Sequence, residues 1–248
     1  MPHFFINSNN IIKDCILVND SDNYNHIVRS LRTKVGEPLL FVDDNEIEYE
    51  ATVEEITNKE LKAKINKKYK SVRKLPFNLY LAQSPLRSDA QSVIIEKATE
   101  LGAAGVYPVY TDNCALNKSV IDKKITKWQR TMYEASKQCE RANIPVCYEL
   151  NTIDTLLKTR NFDFVFAFCE RNADMTFREF YNLNKSMFSK GNDILVIIGP
   201  EGGFSKTEFE YFAQHSIPML TLGDLILKAE TAVIVAIGNI IYEYNYSK

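Results

Sequence analysis

Residue types that could do chemistry are concentrated in two short runs near the C-terminus of this 248-residue chain. The first is the apolar stretch 194–198 followed by the glycine-rich segment 199–204, and the second covers residues 222–232. Each run is typical of an apolar strand that ends in a loop, with a helix after it. Since ligands bind beyond the carboxyl ends of strands in α/β sheets, the two runs predict one pocket built from both.

The glycine-rich segment matches neither common phosphate-binding fingerprint. Residues 199–203 are Gly-Pro-Glu-Gly-Gly, which is not G-x-G-x-x-G and lacks the Gly-Lys-Ser/Thr of a P-loop. A plain strand-to-helix turn is one interpretation. A binding loop is the other, because closely spaced glycines let backbone amides approach a ligand, and Pro200 and Ser205 stiffen the loop.

The second run places Glu230 and Thr231 at the start of the last predicted helix. The helix dipole alone favours a glutamate there, so a purely structural role for Glu230 stays open. The preceding residues 225–227 are apolar where a loop is expected. An apolar loop beside a glycine loop suits a flat adenine ring held between two backbone segments.

The sequence gives little support to a metal site or to hydrolase activity. The histidines are scattered without metal-ligand spacing, and there is no Gly-x-Ser-x-Gly elbow. Five cysteines without close pairs indicate thiols in a reducing cytoplasm. No signal peptide and no apolar run of about 18 residues is evident, so we expect a cytoplasmic protein without a metal and without a membrane partner.

The elements that must position these runs differ between the first part of the chain and the rest. Short segments with period-two alternation predict a small N-terminal β-barrel with one helical insert at residues 25–32, in which Ile27, Val28 and Leu31 face inward. From residue 77, strands alternate with helices, which predicts an α/β fold with a parallel sheet covered on both faces. The predicted domains are residues 1–74 and 75–248.

The charge distribution contains one basic stretch. A formal net charge of −2 does not indicate a nucleic-acid binder, although a balanced total can hide a basic face. Residues 61–74 contain no acid and include Lys67, Lys68 and Lys70. The stretch is either a solvated edge strand protected by lysines or a strip that contacts phosphates.

Five blocks of the sequence occur in the order found in one known family. They are residues 26–32 (HIVRSLR), 95–102 (IEKATELG), 128–145 with Trp-Gln-Arg, Glu-Ala, Gln-Cys and Ile-Pro, 199–203 and 222–232. On these blocks the chain resembles the 16S ribosomal RNA (uracil-N3)-methyltransferase family (RsmE type) of the SPOUT superfamily.

The resemblance implies a fold, a cofactor and partners. It implies a PUA-like N-terminal β-barrel and a C-terminal SPOUT-type parallel sheet with a deep trefoil knot. It also implies S-adenosylmethionine as methyl donor, 16S rRNA in the 30S subunit as substrate, and a homodimer. Two rival functions stay open: a SPOUT methyltransferase for another nucleotide or a ribose 2′-oxygen, and a catalytically silent RNA-binding assembly factor.

The resemblance also assigns roles to residues. Arg141 and Lys228 are candidates to stabilise charge on the uracil carbonyls, and Glu201 and Glu230 are candidates for the base. The expected cofactor-binding residues are Ile198, Gly199, Pro200, Glu201, Gly202, Gly203, Leu222, Gly223, Ile226, Leu227, Thr231 and Ala232. The expected RNA-binding residues are Arg29, Arg32, Lys67, Lys68, Lys70 and Arg87.

Four positions depart from the family pattern. Arginines usual in the family are replaced by Asn113, Leu225 and Lys228, and Glu140 replaces a glycine. Lys228 keeps the charge but not the bidentate fork of arginine. These departures concern contacts to RNA or to the base more than the cofactor loops.

Overall fold

Period-two alternation in the N-terminal part produces a six-stranded sheet in the computed structural model, which describes residues 3–189 and 191–246. The strand order is β1-β4-β5-β6-β3-β2, with β1 parallel to β4 and the other pairs antiparallel. Its strands are β1 (His3–Phe5), β2 (Ile11–Ile12), β3 (Cys15–Val18), β4 (Pro38–Val42), β5 (Ile47–Ile56) and β6 (Leu61–Lys70). Closure of this sheet into a barrel stays a prediction.

The helical insert differs from its prediction. A short helix α1 (Ser21–Tyr24) continues into a π-helical segment, Asn25–Ser30. Ile27 is fully buried as expected, but Leu31 is 42% exposed, so its predicted inward orientation was wrong. The reason is the wider π-helical turn, in which the Leu31 amide donates to the His26 carbonyl at 2.9 Å.

The second part of the chain folds as an entirely parallel seven-stranded sheet, which confirms the α/β prediction. The strand order is β11-β13-β10-β12-β7-β8-β9. Its strands are β7 (Asn78–Gln83), β8 (Gly105–Pro108), β9 (Val146–Cys147), β10 (Phe164–Phe168), β11 (Met175–Thr176), β12 (Asp193–Ile198) and β13 (Met219–Thr221). Both central strands β10 and β12 are predominantly apolar, as burial on two faces requires.

Helices cover both faces of this sheet. They are α2 (Ser88–Glu100), α3 (Lys118–Gln138), α4 (Ile153–Thr159), α5 (Phe177–Leu183), α6 (Lys206–Gln214) and α7 (Ala229–Tyr246). One core layer includes Ile94 of α2, Phe180 of α5 and Ile237 of α7, and the other includes Leu156 of α4 and Phe212 of α6. The trefoil knot stays a prediction. No helix within the described ranges is both long and apolar enough to cross a membrane.

The chain divides into two compact units, and one short segment from the later part of the sequence belongs to the first unit. The first unit comprises the described residues up to Lys74 together with Ser136–Asn143, and the second comprises Leu75–Ala135 with the residues from Ile144 onward. The sequence analysis predicted uninterrupted domains 1–74 and 75–248, and it did not predict that Ser136–Asn143 belongs to the first unit.

Arg73 joins segment 136–143 to the rest of the first unit. Arg73 donates through Nη1 to the Glu140 carboxylate at 2.9 Å and to the Glu140 carbonyl at 3.1 Å. Its Nη2 lies 3.5 Å from the buried carboxylate of Glu48. Burial lowers the pKa of nearby His3. Glu140, where the resemblance implies a glycine, has a left-handed backbone (φ +57°), a conformation that glycine adopts at less cost.

Candidate functional site

The carboxyl ends of β10 and β12 border a cavity of about 770 Å³ in the second unit, and the loop between β13 and α7 completes its wall. This is the edge at which open parallel sheets bind ligands, and the volume lies within the range of small-molecule sites. The residues that line it are Ala90, 168–172, 198–204, Phe209, 226–230 and Ala232.

The glycine loop after β12 has a shape that larger residues would disturb. Gly203 has φ +68°, the left-handed region that favours glycine. A Cβ at Gly199 would lie 3.3 Å from the Phe204 ring, and one at Gly202 would lie 3.1 Å from Cβ of Asn113. The loop is therefore more constrained than a plain strand-to-helix turn.

Helix α6 begins immediately after this loop with a capping box. Ser205 Oγ accepts from the Glu208 amide at 3.2 Å, and the Glu208 carboxylate accepts from the Ser205 amide at 2.8 Å. Burial raises the pKa of Glu208. The cap fixes the position at which the loop joins the helix.

The segment after β8 is hydrogen-bonded to the same loop. Asn113 Nδ2 donates to the carbonyls of Gly202 at 3.2 Å and Gly203 at 3.1 Å. Ser205 Oγ donates to the Asp112 carboxylate at 2.5 Å. Residue 113 is one of the positions at which the resemblance implies an arginine, and here its amide serves the glycine loop.

The second predicted loop forms another wall of the cavity. Ile226, Leu227 and Lys228 line it just before α7 begins at Ala229. Ile226 is 63% exposed, so its side chain is accessible at this wall. The apolar loop and the glycine loop therefore border one space.

The structure brings most of the predicted site residues together. Of the predicted cofactor and catalytic residues, those that line the cavity are Ile198, Gly199, Pro200, Glu201, Gly202, Gly203, Ile226, Leu227, Lys228, Glu230 and Ala232. Leu222, Gly223, Thr231 and Arg141 are not among the described lining residues. Leu222 packs against the core instead, Gly223 forms a turn with φ +129°, and Thr231 is exposed.

Arg141 belongs to the first unit and is buried there. Its guanidinium donates through Nε and Nη2 to Asn143 Oδ1 at 3.1 and 3.0 Å. Burial lowers the pKa of Arg141 to about 10.

Sequence reasoning missed the loop after β10. Cys169, Glu170, Arg171 and Asn172 all line the cavity. The signal was present, because the apolar strand 162–168 ends in these polar residues and the strand-end rule applies to it as well. Burial raises the pKa of the Cys169 thiol to about 12, which disfavours the thiolate.

Charged side chains on the cavity wall are left without partners. Within residues 3–189 and 191–246, no hydrogen bond or ion pair engages the side chains of Glu170, Arg171, Glu201, Lys228 or Glu230. Four of these side chains are exposed and Glu230 is half-buried, so water solvates them in the free protein. A ligand that enters the cavity meets these charges at its wall.

The predicted RNA-binding residues lie at exposed positions. Arg29, Arg32, Lys67, Lys68 and Lys70 belong to the first unit, and Arg87 precedes α2 in the second. Three lysines of the basic stretch face carboxylates: Lys62 lies 3.6 Å from Glu54, Lys67 lies 3.8 Å from Glu50, and Lys74 lies 2.5 Å from Glu46.

Comparison with known proteins decides the family. Residues 73–241 match the family described as "RNA methyltransferase domain", and residues 18–66 match "RNA methyltransferase PUA domain". The chain is 31% identical over 225 residues to the ribosomal RNA small subunit methyltransferase E of Rickettsia conorii, covering 89% of this chain and 87% of the relative. The chain belongs to the RsmE-type RNA methyltransferase family.

Further similarities agree with this membership. The RsmE of Bacillus subtilis is 25% identical over 221 residues, 88% of this chain and 86% of the relative. A crystal structure of the Neisseria gonorrhoeae RsmE bound to S-adenosyl methionine has a TM-score of 0.83 at 22% identity, covering 98% of both chains. That likeness shows that the RsmE fold extends over the length of this chain.

Proposed function

We propose that this protein transfers a methyl group from S-adenosylmethionine to N3 of a uridine in 16S rRNA of the small ribosomal subunit. The observation that carries the proposal is a single cavity lined by both glycine-bearing runs, in a chain whose relatives are named small subunit methyltransferase E. The proposed setting is the cytoplasm, with the 30S subunit as substrate.

The residues of the cavity fit the cofactor. A Cβ at Gly202 would press against Asn113 at 3.1 Å, so the loop suits glycine at this position, and Ile226 and Leu227 offer apolar surface for an adenine ring. The cofactor supplies an electrophilic methyl group when bound. Gly199, Gly202 and Gly203 would hold it through the backbone, and Ile198 would add apolar surface.

Proton removal and charge stabilisation fall to the unpaired side chains. N3 of uracil must lose its proton, and we assign that proton to Glu201 or Glu230, since both residues line the cavity and neither has a side-chain partner among the described residues. Negative charge then develops on the uracil carbonyls, which Lys228 stabilises.

Arg171 takes the second cationic role in this proposal, in place of Arg141. Arg171 is a lining residue of the cavity, whereas the guanidinium of Arg141 is hydrogen-bonded to Asn143 in the first unit. An arginine that lines the cavity can offer two parallel donors to a carbonyl and a neighbouring acceptor.

The first unit contributes cations for RNA phosphates. Lys68 and Lys70 are exposed on β6 and have no ion-pair partner among the described residues. Together with Arg29, Arg32 and Lys67 they form a set of contacts that position RNA without reading its sequence.

A homodimer is part of the proposal. Tyr242 and Tyr246 near the end of α7 are 60% and 77% exposed, with ring centroids 4.8 Å apart. Exposed aromatic pairs are frequent at protein interfaces. Light scattering on the purified protein tests this part, and a monomer at micromolar concentration would remove it.

The function is tested by methylating 30S particles and mapping the modified nucleoside by mass spectrometry. Methyl transfer to uracil N3 is the expected result. A methylated ribose or another base would favour the rival SPOUT activity. RNA binding without methyl transfer, with S-adenosylmethionine supplied, would favour an assembly factor.

A further inference from the structure

The glycine loop is held by hydrogen bonds from a segment distant in sequence. Asn113 donates from one nitrogen, Nδ2, to two consecutive carbonyls, those of Gly202 and Gly203. Cβ of Asn113 also lies against Gly202, because a Cβ built there would approach it to 3.1 Å. One side chain therefore both fills the space beside the loop and orients two of its peptide groups.

Orienting a carbonyl also orients the next amide. In a trans peptide the C=O and the following N–H point in opposite directions, so the bonds from Asn113 direct the N–H groups of Gly203 and Phe204 away from it. The Gly203 amide donates to the Pro200 carbonyl at 3.0 Å, which closes the turn. No described residue accepts from the Phe204 amide, which leaves this donor available on a loop that lines the cavity.

The segment that carries Asn113 is itself anchored. The hydroxyls of Thr111 and Ser84 are 2.6 Å apart and buried, which ties the segment to the end of β7. The Asp112 amide donates to the Glu208 carboxylate at 3.2 Å, and the Asp112 carboxylate accepts from Ser205. Asn113 is thus supported from the sheet on one side and from the cap of α6 on the other.

We propose that Asn113 is a positioning residue that pre-organises the glycine loop for binding S-adenosylmethionine. The inference rests on the proposed function for the identity of the ligand. The two hydrogen bonds from Asn113 to the carbonyls of Gly202 and Gly203, which we call the brace, are a property of the free protein. A loop already held in its binding conformation loses less conformational entropy when the ligand arrives, and affinity rises accordingly.

Asn113→Asp is the sharpest variant, because it keeps the size and the Cβ contact and replaces the donor with a carboxylate that repels both carbonyls. Calorimetric titration with S-adenosylmethionine should show at least about tenfold weaker binding, since two hydrogen bonds are lost. The KM for the cofactor should rise similarly, while kcat at saturating cofactor changes little. Amide hydrogen exchange in residues 199–205 of the free protein should accelerate.

Asn184→Asp is the matched control. Asn184 Nδ2 donates to the Phe180 carbonyl at 2.8 Å at the end of α5, so the same change removes a comparable bond outside the cavity. We expect unchanged cofactor affinity and unchanged exchange in 199–205 for this control. If Asn113→Asp does not fold, Asn113→Ser removes the amide with less repulsion and is compared in the same measurements.

The outcomes separate the two proposals. If the unmodified protein does not bind S-adenosylmethionine, the proposed function fails, and exchange in 199–205 still tests the brace. If the unmodified protein binds and the Asn113 variants bind equally well with unchanged exchange, the brace is overturned while the function stands.

Discussion

Charged side chains at the carboxyl ends of the parallel strands (the carboxyl edge) and at their amino ends (the amino edge) differ in whether they have partners within the protein. At the carboxyl edge, Lys228, Glu230 and the other charged residues of the cavity wall have no partner among the described residues. At the amino edge, where Asp193 begins β12 and Arg160 precedes β10, the charge of Arg160 is fully engaged. Its Nη2 lies 3.4 Å from the Asp193 carboxylate, and its Nη1 donates to the hydroxyls of Tyr107 and Tyr148.

Aromatic rings complete the surroundings of Arg160. Its guanidinium carbon lies 4.4 Å from the ring centroid of Tyr80 and 5.3 to 5.4 Å from those of Tyr107, Tyr148 and Phe162. Rings at such distances attract a cation. The same sheet thus pairs its charge within the protein at one edge, and at the other it leaves charged side chains at the cavity wall without partners among the described residues.

Substitution of Gly202 should give the largest effect, at the carboxyl edge. Gly202→Val should weaken S-adenosylmethionine binding by about a thousandfold or more, roughly 4 kcal/mol, because even a Cβ would press against Asn113. Calorimetric titration measures this. Gly238→Val is the control, since a Cβ there meets nothing within 4 Å. If Gly202→Val bound S-adenosylmethionine as tightly as the unmodified protein, the assignment of the glycine loop to the cofactor site would be wrong.

Lys228→Met should affect the rate at the same edge. We expect kcat to fall about a hundredfold with little change in cofactor affinity, because the missing cation stabilises charge that develops only in the transition state. Single-turnover methylation of 30S particles measures the rate. Lys206→Met is the matched control, since Lys206 is 92% exposed and pairs with Glu210 outside the cavity. An equal loss in both variants would contradict the catalytic role.

Arg160→Met should affect stability and not function. We expect the free energy of unfolding to fall by about 2 kcal/mol, from lost cation–π contacts and hydrogen bonds to tyrosine. Urea denaturation measures the loss, and cofactor affinity should not change. Arg178→Met is the control, because Arg178 is 80% exposed and lies 3.9 Å from Glu243. A weaker affinity for S-adenosylmethionine in Arg160→Met would show that the two edges are coupled.

Alkaline pH should produce the smallest effect, again at the amino edge. Burial raises the pKa of Tyr80 and of Tyr107. Above about pH 10 the unfolded chain therefore loses tyrosine protons that the folded protein keeps, and stability falls as pH rises, by about 1 kcal/mol per pH unit for each tyrosine. Urea denaturation between about pH 8 and 11 should show a shallower decline for Tyr80→Phe and no change in slope for the exposed Tyr246→Phe.

The parallel sheet and the shared cavity could be predicted because both depend on local patterns. Apolar strands followed by glycine or apolar loops are visible in residues 194–204 and 222–232, and the strand-end rule places them together. The same rule, applied to the end of β10, would have found Glu170 and Arg171. That part of the site was predictable and was missed.

The remaining features depend on contacts between residues far apart in the chain. No pattern in the neighbouring sequence identifies Asn113 as the partner of the Gly202 and Gly203 carbonyls, about ninety residues later. Likewise, no such pattern indicates that four aromatic rings surround Arg160. Successive residues of a helix point in different directions. The sequence of residues 229–232 therefore does not reveal that Glu230 and Ala232 line the cavity and that Thr231 does not. Leu31 was misplaced because a π-helical turn has no simple sequence signature.

The return of Ser136–Asn143 to the first unit has a consequence for synthesis on the ribosome. Chains emerge from the N-terminus, and domains generally fold as they emerge. Here one partner of Arg73, Glu48, is already made when β6 is complete, whereas the other, Glu140, is made long afterwards. The nascent first unit therefore lacks segment 136–143, and Arg73 lacks the Glu140 carboxylate, until nearly seventy more residues have been translated.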